Sequence, residues 1–437
     1  MSSILIKNGL LLSMAADGPD IAQGDLLIDG GIIAKAGGSL PADGVNKVIE
    51  ATGKVVMPGF INCHNHAAMV LLRGYCDDLR LMEWLEHKIW PAEGRMKGDD
   101  IYWGTMLAAA EMIKSGTTTF ADMYGFMGNV AEAVRDSGIR ASLCQGLVFH
   151  DGKGDKRIEY TYRLFENWRS KADGRINTMI GPHAPYTVPP DKIERVIELA
   201  DELKSPVHIH LAETAEEVGQ IFERYGKSPA RYLAELGLFE SCRVLLAHAV
   251  HLSADDINLL KGLKGGVSHN PVSNQKLGCG IAPVTELRKI GVAVGLGTDG
   301  AGSASTLDMF EEIKAAAYMQ KNRLFNPAAI TAYDVLRMAT IEGARALGLE
   351  KEIGTLEEGK KADIIIIDIQ KPHLFPHNDV CALLAYSANG ADVDTTIING
   401  QIVMEQRALL SFDEKEVMKR ARDSARRITE SQEALYE

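Results

Sequence analysis

The chain has 437 residues, 46% of them hydrophobic and 24% charged, with a formal net charge of −12. That length supports one large barrel with additions or a few ordinary domains, and the absence of low-complexity tracts and of blocks of like charge excludes a disordered chain. The acidic balance, with no stripe of Lys and Arg, excludes a nucleic-acid partner and favours a small neutral or weakly charged substrate.

The opening residues, MSSILIKNGLLLSM, carry Lys7 and Asn8 among the apolar ones and lack both a basic leader and a small-residue cleavage site, so no export signal is expected. No apolar run reaches membrane-spanning length, and no membrane partner is expected. Cys63, Cys76, Cys144, Cys242, Cys279 and Cys381 are scattered without a CxxC pair. That usage suits reduced thiols in a cytoplasmic protein and indicates neither a disulfide framework nor a cysteine zinc site.

Over residues 1–57 the runs ILIKNG, GDLLIDGGIIAKAG and KVIEATGKVVMPG alternate β-type stretches with turns. Residues 353–437 repeat that character in GTLEEGKKADIIIIDI, TTIINGQIVM and RALLSFD. The expectation is one small β-sandwich assembled from both chain ends, followed by a charged amphipathic helix in DEKEVMKRARDSARRITESQEAL. Between them, residues 58–352 alternate strands with helices through VVMPGFINCHNH, TTTFADM, RASLCQGL, INTMIGPH, PVHIHLAE, RVLLAHAV, GGVSHN and VAVGLGTD. Intervening stretches such as IYWGTMLAAAEMIKSG, DKIERVIELADELK and APVTELRKIG read as helices. Strict alternation of this length predicts an α/β fold, a (β/α)8 barrel, with a doubly wound open sheet as the alternative.

Chemistry in such a barrel sits at the C-terminal ends of the strands. There the sequence places His64 and His66, Asp122, His183, His210 with Glu213, His248, His269 and Asp299, including six of the twelve histidines. A lone histidine in an apolar strand is ordinarily a satisfied core residue; the recurrence at equivalent positions is what points to a site. His64 and His66 lie two apart on a strand and so share a face. With His210 and Asp299 they make a set of three nitrogens and a carboxylate that leaves one position open on a divalent metal. His208 lies one layer deeper and reads as packing or support for a ligand. Glu213, three residues past His210, is placed to move protons, its bland alternative being a carboxylate at a helix start. His248 is expected to orient the attacking water or stabilise developing charge. GPHAPY brings His183 and no lysine to the fourth strand, so one metal is expected rather than a carbamate-bridged pair. Zn2+ comes first, with Fe2+ and Mn2+ also suited to these donors. The GxGxxG of Gly295, Gly297 and Gly300 is a decoy: Asp299 inside the loop would repel a pyrophosphate.

The segments PGFINCHNH, HIHLAET, LLAHAVHL, VSHNPVSNQKLGCGIAPV and GLGTDGAGSASTLDMFEE resemble the amidohydrolase superfamily, and within it the 5-methylthioadenosine/S-adenosylhomocysteine deaminases and their relatives the triazine chlorohydrolases. The resemblance spans essentially the whole chain. It implies a mononuclear site of His64, His66, His210 and Asp299, with Glu213 as proton shuttle and His248 assisting. It also implies that Glu93, in IWPAEGRM, holds ribose hydroxyls and that His183 contacts the nucleoside. Trp84 and Trp90 stand either in the wall of the base pocket or in helix packing. Two departures matter. Where such deaminases use two arginines near the third strand, this chain has Gln145 and Arg157, which is expected to favour short or uncharged 5′-groups over a carboxylate-bearing one. SASTLD replaces the SNN-type sequence that follows Asp299 in the family.

The expected chemistry is hydrolytic deamination of 5-methylthioadenosine, adenosine or a related nucleoside. Water made acidic by the metal attacks C6, Glu213 protonates ring N1, Asp299 takes the water's proton, and ammonia leaves. Rival readings are a guanine deaminase, a triazine chlorohydrolase, or a non-catalytic barrel kept as a scaffold, against which the complete ligand set speaks. Assembly into a homo-oligomer is left open, and His269 has no task.

Overall fold

The computed structural model describes residues 3–430. Short alternating runs at the two ends of the chain pair with each other. β1 (Ile4–Leu12), β2 (Ile21–Asp29), β3 (Ile32–Ala36), β4 (Lys47–Glu50) and β5 (Lys54–Pro58) join β15 (Ile364–Asp368), β16 (Val393–Ile398), β17 (Gln401–Glu405) and β18 (Ala408–Leu409) in one nine-stranded sheet. The ends meet where β5 runs antiparallel to β15, with Met57 opposite Ile365. Period-two alternation then sorts the side chains. Ile4, Ile6, Leu26, Ile28, Ile364, Ile366 and Ile397 fill a core of their own, while Val55, Met57, Ile365 and Ile367 join the core beneath the barrel. A bridge from Ile32 to Lys361 brings β3 back toward the start of β15. The expected sandwich is therefore a single hydrogen-bonded sheet folded over one apolar layer.

The run VVMPGFINC, which reads as one strand, is two. β5 ends at Pro58, and β6 (Phe60–Asn65) begins a second sheet after Gly59. A Cβ at Gly59 would sit 2.1 Å from Thr118 Cγ2, so no other residue allows the chain to pass between the layers here without displacing that side chain.

The second sheet is parallel and continues through β7 (Thr117–Tyr124), β8 (Arg140–Leu147), β9 (Ile176–Thr178), β10 (Gly181–Pro182), β11 (Val207–Leu211), β12 (Val244–His248), β13 (Gly265–His269) and β14 (Ala293–Leu296). β9 and β10 are two short pieces of one barrel position. The ring closes there, through a bridge between Ile180 and Val207 and a hydrogen bond from His208 N to Ile180 O at 2.8 Å. The fold is a (β/α)8 barrel, and the open-sheet alternative falls. The helices include α1 (Gly98–Lys114), α2 (Met127–Ser137), α3 (Gly154–Trp168), α4 (Pro190–Leu203), α5 (Ala215–Tyr225), α6 (Val284–Lys289) and α7 (Glu414–Thr429), of which α1, α4, α6 and α7 fall on the stretches named from the sequence. α7 is capped by the Asp413 carboxylate and packs Val417 on Met106 and Ala133; the part of its predicted range beyond residue 430 lies outside the described residues. Among the described residues, no helix is long and apolar enough to cross a membrane.

One buried ion pair ties barrel to sheet. Arg140, at the start of β8, donates to both oxygens of Asp363 at 2.7 and 3.0 Å, and Asn399 N donates to the same carboxylate at 2.7 Å. Both side chains are 2% exposed. Such a pair adds little over an apolar contact, yet removing one partner strands the other charge in a dry interior. Asp363→Ala should therefore lower the unfolding free energy by about 3–5 kcal/mol in a urea titration. A loss below about 1 kcal/mol would mean that Arg140 regains water.

Candidate active site

His64 and His66 leave β6 on the same side and meet groups arriving from across the barrel. Their Nε2 atoms stand 3.4 and 3.3 Å from Asp299 Oδ1. Ring or carboxylate atoms of His64, His66 and Asp299 all lie within 4.8 Å of one another, and so do those of His64, His210 and His248. His64 belongs to both groups. The structure thus brings together all four expected ligands, with the His248 ring centre 5.3 Å from that of His64.

The other nitrogen of each ring is occupied. His66 Nδ1 lies 2.6 Å from Met123 O, and His210 Nδ1 lies 2.7 Å from His183 O. A carbonyl only accepts, so Nδ1 carries the proton and Nε2 keeps a lone pair aimed at the site. His248 Nδ1 stands 2.9 Å from Asn274 Oδ1. His64 Nδ1 meets His208 Nε2 at 2.9 Å, which makes His208 a support for His64. Burial holds His64 down to about 3 and His210 well below the ordinary imidazole value, so these rings are neutral. His64 Nε2 is buried with no hydrogen-bond partner. A buried orphan nitrogen, converging neutral imidazoles and one carboxylate are the donor set of a divalent cation, and these residues fit one.

Asp299 is held rigidly. Its N donates to His64 O at 2.9 Å, and its Oδ2 accepts from Ser273 Oγ at 2.6 Å and Ser303 Oγ at 2.7 Å, which favours the carboxylate and leaves Oδ1 toward the histidines. Its φ is +62°, and Ala212, His248 and Ala249 also have positive φ. Four non-glycine residues in the left-handed region at three strand ends mark a backbone whose strain is met by its surroundings.

Glu213 follows β11 but lies before the helix. Thr214 caps α5, accepting from Glu217 N, so Glu213 sits one residue outside the cap rather than in the first helical turn. The Glu217 carboxylate accepts from the N–H groups of Ala212 and Glu213 at 3.0 and 2.8 Å and so fixes the turn that carries Glu213. Glu213 Oε2 is 3.8 Å from His248 Nε2. Burial, with Asp299 nearby, pushes Glu213 up to about 8.

A cavity of about 470 Å³ opens beside His66, and Glu93, Gln145, Arg157, His183 and Trp90 line it. Glu93 is not the ordinary exposed carboxylate its sequence context suggests: burial raises its pKa, and Tyr124 donates to Oε1 at 2.5 Å. His183 Nδ1 contacts Thr187 Oγ1 at 3.0 Å. Arg157 is pinned by Asp151 and by Val148 O, all at 2.6 Å. Trp84 is buried with its Nε1 on Cys76 O and, unlike Trp90, belongs to packing. Asp122 stands apart from the metal-type clusters and accepts from Ala67 N at 2.8 Å. His269 is fully buried with neither ring nitrogen paired. The glycines of the decoy motif serve packing: a Cβ at Gly295 would meet Cys63 Sγ at 2.4 Å, and one at Gly297 would meet Ser268 Oγ at 2.4 Å.

Several contributors escape sequence reasoning. Tyr124, Ser273, Asn274, Ser303 and Glu217 each position a site residue. Ser273 and Asn274 lie in the NPVSN segment and Ser303 opens SASTLD, so the only available signal was their place in motifs already singled out.

The model of the amidohydrolase family matches residues 55–403. A 5-methylthioadenosine/S-adenosylhomocysteine deaminase of Pelotomaculum thermopropionicum is 50% identical over 98% of this chain and 99% of its own length, and one of Desulforamulus reducens is 48% identical over 98% and 99%. The crystal structure of an adenosine deaminase from Xanthomonas campestris with bound zinc superposes with a TM-score of 0.91 at 33% identity, covering 97% of this chain and 98% of that one. With the family model across most of its length and relatives this similar end to end, the chain belongs to the amidohydrolase family.

Proposed function

We propose that this chain is a hydrolytic deaminase of adenosine-type nucleosides, 5-methylthioadenosine and related 5′-substituted adenosines foremost, working with one zinc ion held by His64, His66, His210 and Asp299. The observation that carries it is the convergence of His64, His66, His210 and Asp299, with the buried Glu213 carboxyl 3.8 Å from His248, beside a cavity lined by Glu93 and His183. Its relatives' names support the substrate class. Similarity to triazine hydrolases at 24% identity and to a guanine deaminase at 22% supports the fold alone, and Glu93 favours a ribosyl substrate over theirs. A cytoplasmic setting accords with six free thiols.

When bound, the cation supplies Lewis acidity that lowers the pKa of water from about 15.7 toward 7. The chain's own residues do the rest. Glu93 accepts from the ribose hydroxyls, and Tyr124 holds its carboxylate in place. His183 steadies the nucleoside. Glu213 delivers its proton to ring N1, so that C6 accepts the attacking oxygen, and His248 stabilises the charge that develops beside it. Asp299 accepts the water's proton through Oδ1 and passes it to the C6 amino group, which departs as ammonia, while the proton of the C6 hydroxyl returns to Glu213. The direct test is ammonia release from a panel of adenosine derivatives, guanine and a chlorotriazine; turnover of the last two alone would overturn the assignment.

Elemental analysis should find about one metal ion per chain, and a chelator should abolish activity that zinc restores. Full activity without metal, or two tightly held ions, would contradict the site.

Glu213→Gln keeps the shape and removes the proton. The variant should retain its metal and lose roughly 10²-fold or more in kcat. Near-normal turnover with metal in place would remove Glu213 from the mechanism.

A further inference from the structure

The cleft has a neighbour. A second cavity, of about 570 Å³, lies between α2 and α3, and Gly125, Phe126, Gln145 and Arg157 line both. The two therefore adjoin at the side of the cleft where Gln145 and Arg157 stand. Four cations line the second cavity, namely Lys153, Lys156, Arg157 and Arg163, and no carboxylate does. In a chain with a net charge of −12 that is a local reversal of sign.

The reversal is built into the periodicity of α3. Lys153, Lys156, Tyr160, Arg163 and Asn167 recur at intervals of three and four and so share the face that lines the cavity. Asp155, Glu159 and Glu166 on the same segment fall on another face. Arg157 is taken up by a bidentate pair with Asp151, and Arg163 approaches Glu159 only at 3.9 Å, where both are exposed and screened. Lys153, Lys156 and Arg163 remain as the charge presented to the cavity, with the rings of Tyr160 and Trp168 beside them.

We propose that this second cavity is an anion subsite: it receives the end of a 5′-substituent that leaves the nucleoside cleft between Gln145 and Arg157, and Lys153, Lys156 and Arg163 hold a carboxylate or phosphoryl group there. The proposal rests on the nucleoside reading of the adjoining cleft. It also reverses the expectation drawn from Gln145 alone, because the charge missing at that position is supplied further along α3.

The test compares wild-type, metal-loaded protein with the combined Lys153→Gln, Lys156→Gln and Arg163→Gln variant on 5-methylthioadenosine, S-adenosylhomocysteine and adenosine 5′-monophosphate. For the anionic substrate that reaches the subsite, KM should rise roughly tenfold with kcat kept, as loss of charge-assisted bonds requires. The neutral 5-methylthioadenosine should change by no more than about twofold, the ordinary effect of remote surface charge. Which anion loses affinity tells a carboxylate tail from a phosphate. Equal losses on all three substrates, or none on either anion, overturn the subsite. Calorimetric binding of S-adenosylhomocysteine separates this outcome from the reaction itself. If no adenosine derivative is deaminated but the triple variant still binds S-adenosylhomocysteine roughly tenfold more weakly, the subsite stands and the deaminase reading falls. If the triple variant leaves the binding of both S-adenosylhomocysteine and adenosine 5′-monophosphate unchanged, the subsite falls in either case.

Discussion

The site depends on neutral imidazoles held in one tautomer in a dry barrel mouth. Each of His66 and His210 gives its Nδ1 proton to a backbone carbonyl of a neighbouring strand, so the geometry of the sheet decides which nitrogen keeps the lone pair. Met123 O and His183 O stand at strand ends, and His183 O accepts from His210 N at 3.0 Å as well as from the ring, so main chain and side chain of His210 are held by one carbonyl. His64 sits at the centre, supported by His208 from below and left with a buried nitrogen unpaired. Leaving such an atom unmet costs free energy that a bound cation would recover, which is why the fold and the metal preference are one property.

Positioning of this kind needs a backbone that cannot relax. Ala212, His248, Ala249 and Asp299 all adopt positive φ without being glycine. The strand ends that carry them are cross-tied: Ala249 N donates to Leu211 O, Val250 N to Ala212 O, and Asp299 N to His64 O. The Glu217 carboxylate closes the turn at Glu213. Three of the four, Ala212, Ala249 and Asp299, are thus tied by a backbone bond to a segment from a different strand, and the ring of β-strands carries the strain.

The end sheet contributes from the opposite side. It covers the barrel with Val55, Met57, Ile365 and Ile367 and is anchored by Arg140 and Asp363, so the segments from the two chain ends close over a single apolar surface. At the other end, the cleft beside His66 and His183 adjoins the cavity along α3.

Much of this was legible in the sequence because it is written in short-range pattern. Alternation of strand and helix named the barrel; the two-residue spacing of His64 and His66 put both on one face; Glu213 and Asp299 announced themselves by falling at strand ends. The sequence put a boundary at 57/58 yet read VVMPGFINCHNH as one strand across it, since both halves are apolar and the approach of Thr118 to Gly59 is not visible in the pattern. Nor could it show Glu93 half-buried under Tyr124, Ser273 and Ser303 converging on Asp299, or the cations of α3 facing a cavity that shares lining residues with the cleft. The division has one cause. Local spacing fixes which side of its own element a residue occupies, whereas hydrogen bonds, burial and charge at the site arise between residues far apart in the chain, and only the closed barrel sets those distances.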